Sequence, residues 1–143
     1  QKGARKKVKV LEGGLALLHL ASHANSSLSS SRGGTNNDAI AHYDRAYDLL
    51  KKSLGKGDTR VAACLYATGT VAARAMLYEK AESVLWEALK VREMAREIEN
   101  CAEIWHEFGE IAMNKGLYDE AVKFFDQSLE VREGNGFSAG GGG

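Results

Sequence analysis

Apolar side chains recur every three or four residues along most of this chain, which is the spacing that places them on one face of an α-helix. Proline is absent, and leucine, alanine, glutamate and lysine are plentiful, so nothing in these stretches interrupts a helix. The periodicity therefore predicts an all-α fold. It predicts six helices, at 8–24, 37–54, 59–75, 78–97, 100–115 and 118–133.

Polar and glycine-rich segments mark the breaks between these helices. The segment 25–37 consists almost wholly of Ser, Gly, Asn and Thr and is predicted to be a long loop. The glycine-rich tail at 134–143 is predicted to hold no fold. A Gly-Lys-Gly-Asp sequence at 55–58 separates the second helix from the third, and its aspartate can cap the third helix. Gly116 follows the fifth helix, where a left-handed backbone conformation is favoured.

The sequence repeats itself at an offset of forty residues. When 58–93 is aligned with 98–133, ten positions are identical, and most of them carry small or apolar side chains at helical spacing. Self-similarity at a fixed period of this length is the signature of a helical repeat, so each unit is predicted to be one helical hairpin. The identical pairs are Ala62 and Ala102, Gly69 and Gly109, Ala72 and Ala112, Leu77-Tyr78 and Leu117-Tyr118, Ala81 and Ala121, Leu89 and Leu129, and Val91-Arg92-Glu93 and Val131-Arg132-Glu133.

Each unit carries residues suited to the close packing of two antiparallel helices. Gly69 and Gly109 stand within the first helix, where glycine costs about 1 kcal/mol relative to alanine. That cost is tolerated if the second helix must approach the backbone there. In the earlier of the two units the second helix carries Ala81 and, four residues later, Leu85. A small residue beside a large one lets two helices interdigitate.

A weaker copy precedes these two units. Ala39, Tyr43 and Ala46 reproduce the spacing of the second helix at an offset of forty-two, and Gly13-Gly14 on an earlier helix offer the close approach. Three hairpins are about the minimum for a stable solenoid. The predicted organisation is a basic arm at 1–7, a divergent first repeat at 8–54 with the 25–37 loop as an insertion, a second repeat at 58–97, a third at 98–133 and the tail at 134–143.

These units resemble the tetratricopeptide repeat family. Its pattern is a large residue, a second large residue three positions on and a glycine in the first helix, then an alanine and an aromatic residue in the second. The third repeat matches with Trp105, Phe108, Gly109, Tyr118, Ala121 and Phe125. The second repeat matches with Leu65, Gly69, Tyr78, Ala81, Leu85 and Ala88, although Thr68 replaces the second large residue.

A narrower resemblance is to the kinesin light chain-like subgroup of that family. The forty-residue spacing, the stretch 54–62 and the endings 88–93 and 128–133 are similar to it. That subgroup carries paired asparagines on the first helix of each repeat. Here those places hold Tyr66-Ala67 and His106-Glu107, which puts the cargo preference of the subgroup in doubt.

The resemblance implies about three hairpins stacked as a short right-handed superhelix, whose first helices line a concave groove that binds another protein. It places these residues on the groove: Tyr66, Thr70, Arg74, Glu103, His106, Glu110 and Met113. If Gly14 aligns with Gly69, the first repeat adds Leu11, Leu15 and Leu18, for which ordinary core packing is the alternative. Trp86 is expected to pack on the next hairpin, the alternative being an exposed anchor for a partner.

Composition narrows the functional classes. Nineteen Lys and Arg balance nineteen Asp and Glu, so no whole-molecule field draws the chain to nucleic acid or acidic lipid. The first nine residues nevertheless hold five cations and no acid, which indicates a solvated arm or a local contact to RNA, lipid or an acidic partner. Two cysteines form no disulfide framework, which favours a reducing intracellular compartment. No apolar run approaches the ~20 residues needed to span a bilayer.

No constellation of side chains predicts catalysis. Cys64 and Cys101 lie among apolar helix positions and are expected to be small core residues. His19 and His23 have the i, i+4 spacing of two metal ligands, but no third ligand is near them in the sequence. The glycines at 55–57 lack the preceding strand and the full spacing of a phosphate-binding loop. We therefore predict no enzyme, no metal and no cofactor.

The leading functional prediction is a scaffold or adaptor that binds a peptide or helix of another protein in its concave groove. The alternative is a structural subunit of a large assembly, such as a ribonucleoprotein or organellar complex. In that assembly the basic arm would contact RNA or neighbouring chains.

Overall fold

A computed structural model describes residues 2–27 and 35–134, apart from the side chains at 7, 17, 20–27 and 35. Within this part of the chain every regular element is an α-helix. The six helices are α1 (Lys2–Ser27), α2 (Thr35–Leu54), α3 (Thr59–Arg74), α4 (Tyr78–Met94), α5 (Ile98–Asn114) and α6 (Tyr118–Arg132).

The helices pair as three antiparallel hairpins, α1 with α2, α3 with α4 and α5 with α6, and each hairpin packs on the next. One apolar core runs through the stack, because Tyr43 of α2, Leu85 and Leu89 of α4, and Ile104 and Phe108 of α5 belong to one buried cluster. This arrangement confirms the predicted all-α helical repeat fold.

The two glycines of the repeat pattern lie where the paired helices come closest. A β-carbon added to Gly69 would lie 2.6 Å from Leu85 Cγ, and one added to Gly109 would lie 2.5 Å from Phe125 Cε1. Real β-carbons do not approach other atoms so closely, so any larger residue must displace its neighbour. The predicted close approach of the second helix is therefore confirmed in both hairpins.

The first hairpin differs from its prediction in length. Helix α1 begins at Lys2 rather than at residue 8, so cations assigned to a basic arm are helical. It continues to Ser27, and α2 begins at Thr35, so both ends of the predicted 25–37 loop are helical. Segment 2–7 contains no proline, so the lack of apolar periodicity there did not prevent a helix. Segment 28–34 and the tail from 135 onward lie outside the described residues.

The first hairpin also differs in register. A β-carbon on Gly14 would lie 2.9 Å from Leu50, so the close approach itself is real. By the offset of forty-two, however, Leu85 corresponds to Tyr43, and Leu50 lies seven residues, or two helical turns, beyond it. Gly14 therefore packs against a different position of its partner helix than Gly69 does.

A residue with a left-handed backbone conformation follows each of the helices α2 to α6. Gly55, Gly116 and Gly134 have φ of 88°, 78° and 85°, and the prediction for Gly116 is confirmed. Met76 and Arg96 adopt the same conformation at φ of 64° and 59° without being glycine. Helix α4 therefore ends at Met94, three residues before the predicted end.

The interior contains both cysteines and part of an aromatic cluster. Cys64 and Cys101 are fully buried and free, which confirms that they are core residues. Trp86 packs on the following hairpin as expected, with its ring centroid 5.5 Å from that of Trp105 and 4.7 Å from that of Phe108. The side chain of Trp86 is still 42% exposed.

None of the helices in the described ranges is both long and apolar enough to cross a membrane.

Candidate functional site

A groove of about 420 Å³ lies between α3 and α5, the first helices of the second and third hairpins. Four of the predicted groove residues, Thr70, Arg74, His106 and Glu110, lie on its surface together. They come together because residues three or four apart share one face of a helix. The remaining lining residues are Ala73, Glu107, Ile111 and Asn114.

Helix α5 makes its side of the groove acidic. The carboxylate of Glu110 lies 3.5 Å from Nε2 of His106 one turn earlier, and both side chains are about half exposed. Glu107 is more buried, and this burial, reinforced by the charges of Glu110 and Glu103, raises the pKa of its carboxyl despite the opposing effect of His106 and Arg74. The groove therefore holds a carboxylate that gains from a positively charged ligand.

Helix α3 supplies the aromatic ring of Tyr66 and the hydroxyl of Thr70. The guanidinium of Arg92, from α4, lies over the ring of Tyr66 at 4.8 Å from its centroid, a cation–π contact that holds the ring in place. Burial raises the pKa of Tyr66 to about 12, with further contributions from Glu107 and Glu103. Its hydroxyl therefore stays protonated and can donate a hydrogen bond at neutral pH. Thr70 donates its hydroxyl to the carbonyl of Ala67, 2.9 Å away.

The other predicted groove residues lie outside this cavity. Tyr66 and Glu103 interact electrostatically with each other but do not line it, and Met113 is exposed on α5. In the first hairpin, Leu11 and Leu18 are half-buried against the core, and Leu15 is exposed. This placement matches the core interpretation for Leu11 and Leu18.

Reasoning from the sequence missed one residue that lines the cavity, Glu107, and one that holds the Tyr66 ring, Arg92. Glu107 lies one position away from the stripe that contains His106 and Glu110, so spacing alone did not select it. Arg92 is 5% exposed, donates to the carbonyl of Asn100 at 3.4 Å, and has an Nε without a hydrogen-bond partner in the described structure. The repeat alignment could have drawn attention to Arg92, because the same position of the next repeat also holds an arginine, Arg132. Each arginine lies three residues after a leucine and therefore on the same side of its helix as that leucine.

The two cysteines lie in surroundings that suppress the reactivity of their thiols. Burial raises the pKa of each thiol, Cys64 and Cys101, to about 11, which keeps both protonated and unreactive at neutral pH. No group of three or more His, Cys, Asp or Glu side chains in 2–27 and 35–134 could hold a metal ion. The side chain of His23 lies outside the described residues, so its spacing to His19 cannot be compared with that of a metal-binding pair.

The basic residues before residue 10 form the first turns of α1. Lys2, Arg5, Lys6 and Lys9 are exposed there. Contact with RNA through these cations stays a prediction.

Comparison with known proteins identifies the repeat. A family model described as tetratricopeptide repeat matches residues 102–135, which run from early in α5 to just beyond α6. The match supports a tetratricopeptide repeat family for the chain and, in general, a protein–protein interaction scaffold. Proteins of this all-helical repeat type are typically not enzymes. No curated protein matches the chain, and the kinesin light chain-like subgroup stays a prediction.

Proposed function

We propose that this chain is a scaffold whose groove between α3 and α5 binds a segment of a partner protein that carries lysine or arginine. The observation that carries the proposal is the cavity itself, which brings Thr70, Arg74, His106 and Glu110 from two hairpins onto one surface. A groove along neighbouring repeats suits an extended or helical segment, whose side chains enter at regular intervals.

The charges of the groove favour a basic partner. Glu107 and Glu110 line the cavity, and Glu103 lies one turn before Glu107 on α5. The side chains of Arg74 and His106 lie near Glu107 and partly offset this negative charge. A lysine or arginine that reaches Glu107 would offset the cost of its burial and make a charge-assisted hydrogen bond, a kind worth about 1.5–3 kcal/mol. The Tyr66 ring offers an apolar surface beside that position.

Reversing the charge of Glu110 is expected to weaken binding. The full chain is used to select peptides from a random displayed library, and the tightest peptide is synthesised for calorimetry. Selected peptides should be enriched in lysine and arginine. Glu110→Lys should raise the dissociation constant of the chosen peptide by tenfold or more, since about 1.4 kcal/mol corresponds to that factor.

Glu79→Lys is the matched control. It makes the same change of charge at an exposed position in the first turn of α4, away from the groove, and should alter the dissociation constant by less than about twofold. Equal losses in the two variants would mean that only net charge matters. A library that yields acidic peptides, or none, would contradict the proposal.

Replacing Glu107 by glutamine is expected to stabilise the protein while weakening the complex. The raised pKa of Glu107 means that its contribution to stability is present at low pH and is lost as pH rises through that pKa. Glu107→Gln should therefore raise the melting temperature at pH 7. This gain should vanish near pH 4, at the ordinary pKa of about 4.3 for glutamate.

The same variant should bind a basic peptide more weakly at pH 7, because the buried carboxylate is gone. Opposite changes in stability and affinity are what a functional group held in an unfavourable environment produces. Thermal melts across pH 4–8 and calorimetry at pH 7 measure the two effects. A lower melting temperature at pH 7 would show that Glu107 is structural.

A further inference from the structure

The outer face of α6 is the counterpart of a face that is buried elsewhere in the same molecule. At an offset of forty residues Leu89 of α4 corresponds to Leu129 of α6, but Leu89 is 1% exposed and Leu129 is 55% exposed. Likewise Arg92 is 5% exposed, whereas the side chain of Arg132 is 40% exposed. The difference arises because α5 covers α4, while no helix of the described ranges covers α6.

This uncovered face combines an apolar ridge with acidic residues. Tyr118, Val122 and Leu129 are exposed at i, i+4 and i+11, so they follow one line along α6. Three acids lie beside that line at intervals of seven residues, and none of them has an ion-pair partner in the part of the chain that the structure describes. They are Asp119, Asp126 and Glu133.

The opposite end of the stack has the complementary chemistry. A groove of about 500 Å³ lies where α1 and α2 meet, with Val10 and Leu49 as its apolar floor. Four cations line it, and none of them forms an ion pair within 2–27 and 35–134. They are Lys2, Arg5, Lys6 and Lys9.

We propose that a second copy of this chain covers α6, its basic α1–α2 groove receiving the apolar and acidic face of α6. Helix α1 has five basic residues and one acidic residue, and α6 has four acidic and two basic residues. The chain as a whole has no net charge, so two copies do not repel each other. The basic face of α1 in one copy therefore attracts the acidic face of α6 in another. The second copy then takes the place on α6 that α5 takes on α4. Because the two contacting faces differ, the contact is heterologous and can extend into a row of copies.

Sedimentation velocity of the full chain tests this proposal. The average mass should rise above the 15.5 kDa of one chain as concentration increases. Salt at about 1 M, where the Debye length is near 3 Å, should weaken the association, because the flanking contacts are ionic. A chain that remains at the mass of one copy up to the highest soluble concentration at low salt would overturn the proposal.

Two blocked variants identify the faces. A head-blocked variant carries Lys6→Glu and Lys9→Glu, and a tail-blocked variant carries Val122→Glu and Leu129→Glu. Each should have a dissociation constant for self-association at least about tenfold higher than the unmodified chain, because each has lost one of the two faces. Mixed together, they should form a dimer of one copy each, since each still has the face that the other lacks. The two blocked faces are both acidic, so the dimer should not grow.

The mixing experiment separates this contact from other contacts. If the head-blocked variant still forms dimers alone, α6 pairs with α6 and the proposal is wrong. If the mixture stays monomeric, the proposal is also wrong, provided circular dichroism shows that both variants are folded. Met94→Glu is the control, since Met94 is 89% exposed and lies at neither end of the stack, and it should associate like the unmodified chain. This inference concerns the two ends of the stack and does not depend on the groove between α3 and α5.

Discussion

Replacing Gly69 by alanine is expected to destabilise the protein by about 1–3 kcal/mol, although alanine favours a helix by about 1 kcal/mol over glycine. The new methyl group would lie 2.6 Å from Leu85 Cγ and 2.7 Å from its Cδ2. Leu85 is completely buried in the core, so it has no free space into which to move. The helices must separate, and every contact along that hairpin loosens with them.

Gly109→Ala should cost less than Gly69→Ala. Its methyl group would meet the outer atoms of the Phe125 ring at 2.5–2.8 Å, but Phe125 is only half-buried on the last helix and can turn toward solvent. Urea denaturation of both variants gives the two free energies of unfolding. Gly3→Ala is the control, because Gly3 is helical and has no other group within 4 Å of the added carbon. It should leave stability unchanged or slightly increased.

A double mutant shows whether the contact with Leu85 causes the loss. Leu85→Ala alone should destabilise by about 2–5 kcal/mol through the cavity that it leaves. Combined with Gly69→Ala it should cost less than the sum of the two single changes, since the new methyl group enters that cavity. Additive costs, or a stabilising Gly69→Ala, would show that the helices are not held at the distance the structure gives.

The sequence predicted the second and third hairpins well because their signals are local. Apolar spacing and the repeat at forty residues place α3, α5 and α6 within two residues of their observed ends. The predicted end of α4 was too late, because Arg96 takes a left-handed conformation that is usually indicated in a sequence by glycine. In α1 the error was larger, since helix continuation through 2–7 depends on the absence of a break rather than on an apolar pattern.

The groove was predictable only along each helix. Spacing within α5 placed His106 and Glu110 on one face, and spacing within α3 did the same for Thr70 and Arg74. How α5 crosses α3 decides that Glu107 also reaches the cavity, and no pattern within one helix contains that angle. The burial of Arg92 likewise depends on the next hairpin, because the equivalent Arg132 is exposed at the end of the stack.

Leu89→Ala and Leu129→Ala are expected to differ by at least about 1.5 kcal/mol in their effect on stability, although the two leucines occupy the same position in the repeat. Leu89 of α4 is buried in the core cluster that α4 shares with α5, so its truncation should cost about 2–5 kcal/mol. Leu129 has no following hairpin in the described structure and should cost less than about 0.5 kcal/mol.

The comparison must be made at low protein concentration, where a second copy does not cover Leu129. Under that condition the two variants differ only in the presence of a neighbour, so the difference in their free energies of unfolding measures the interface between successive hairpins at one position. Similar costs for both leucines would mean that Leu129 is covered even in a single chain. A cost for Leu129→Ala that appears only as concentration rises would connect the uncovered face of α6 to self-association, because stability gained from a partner depends on the partner's concentration.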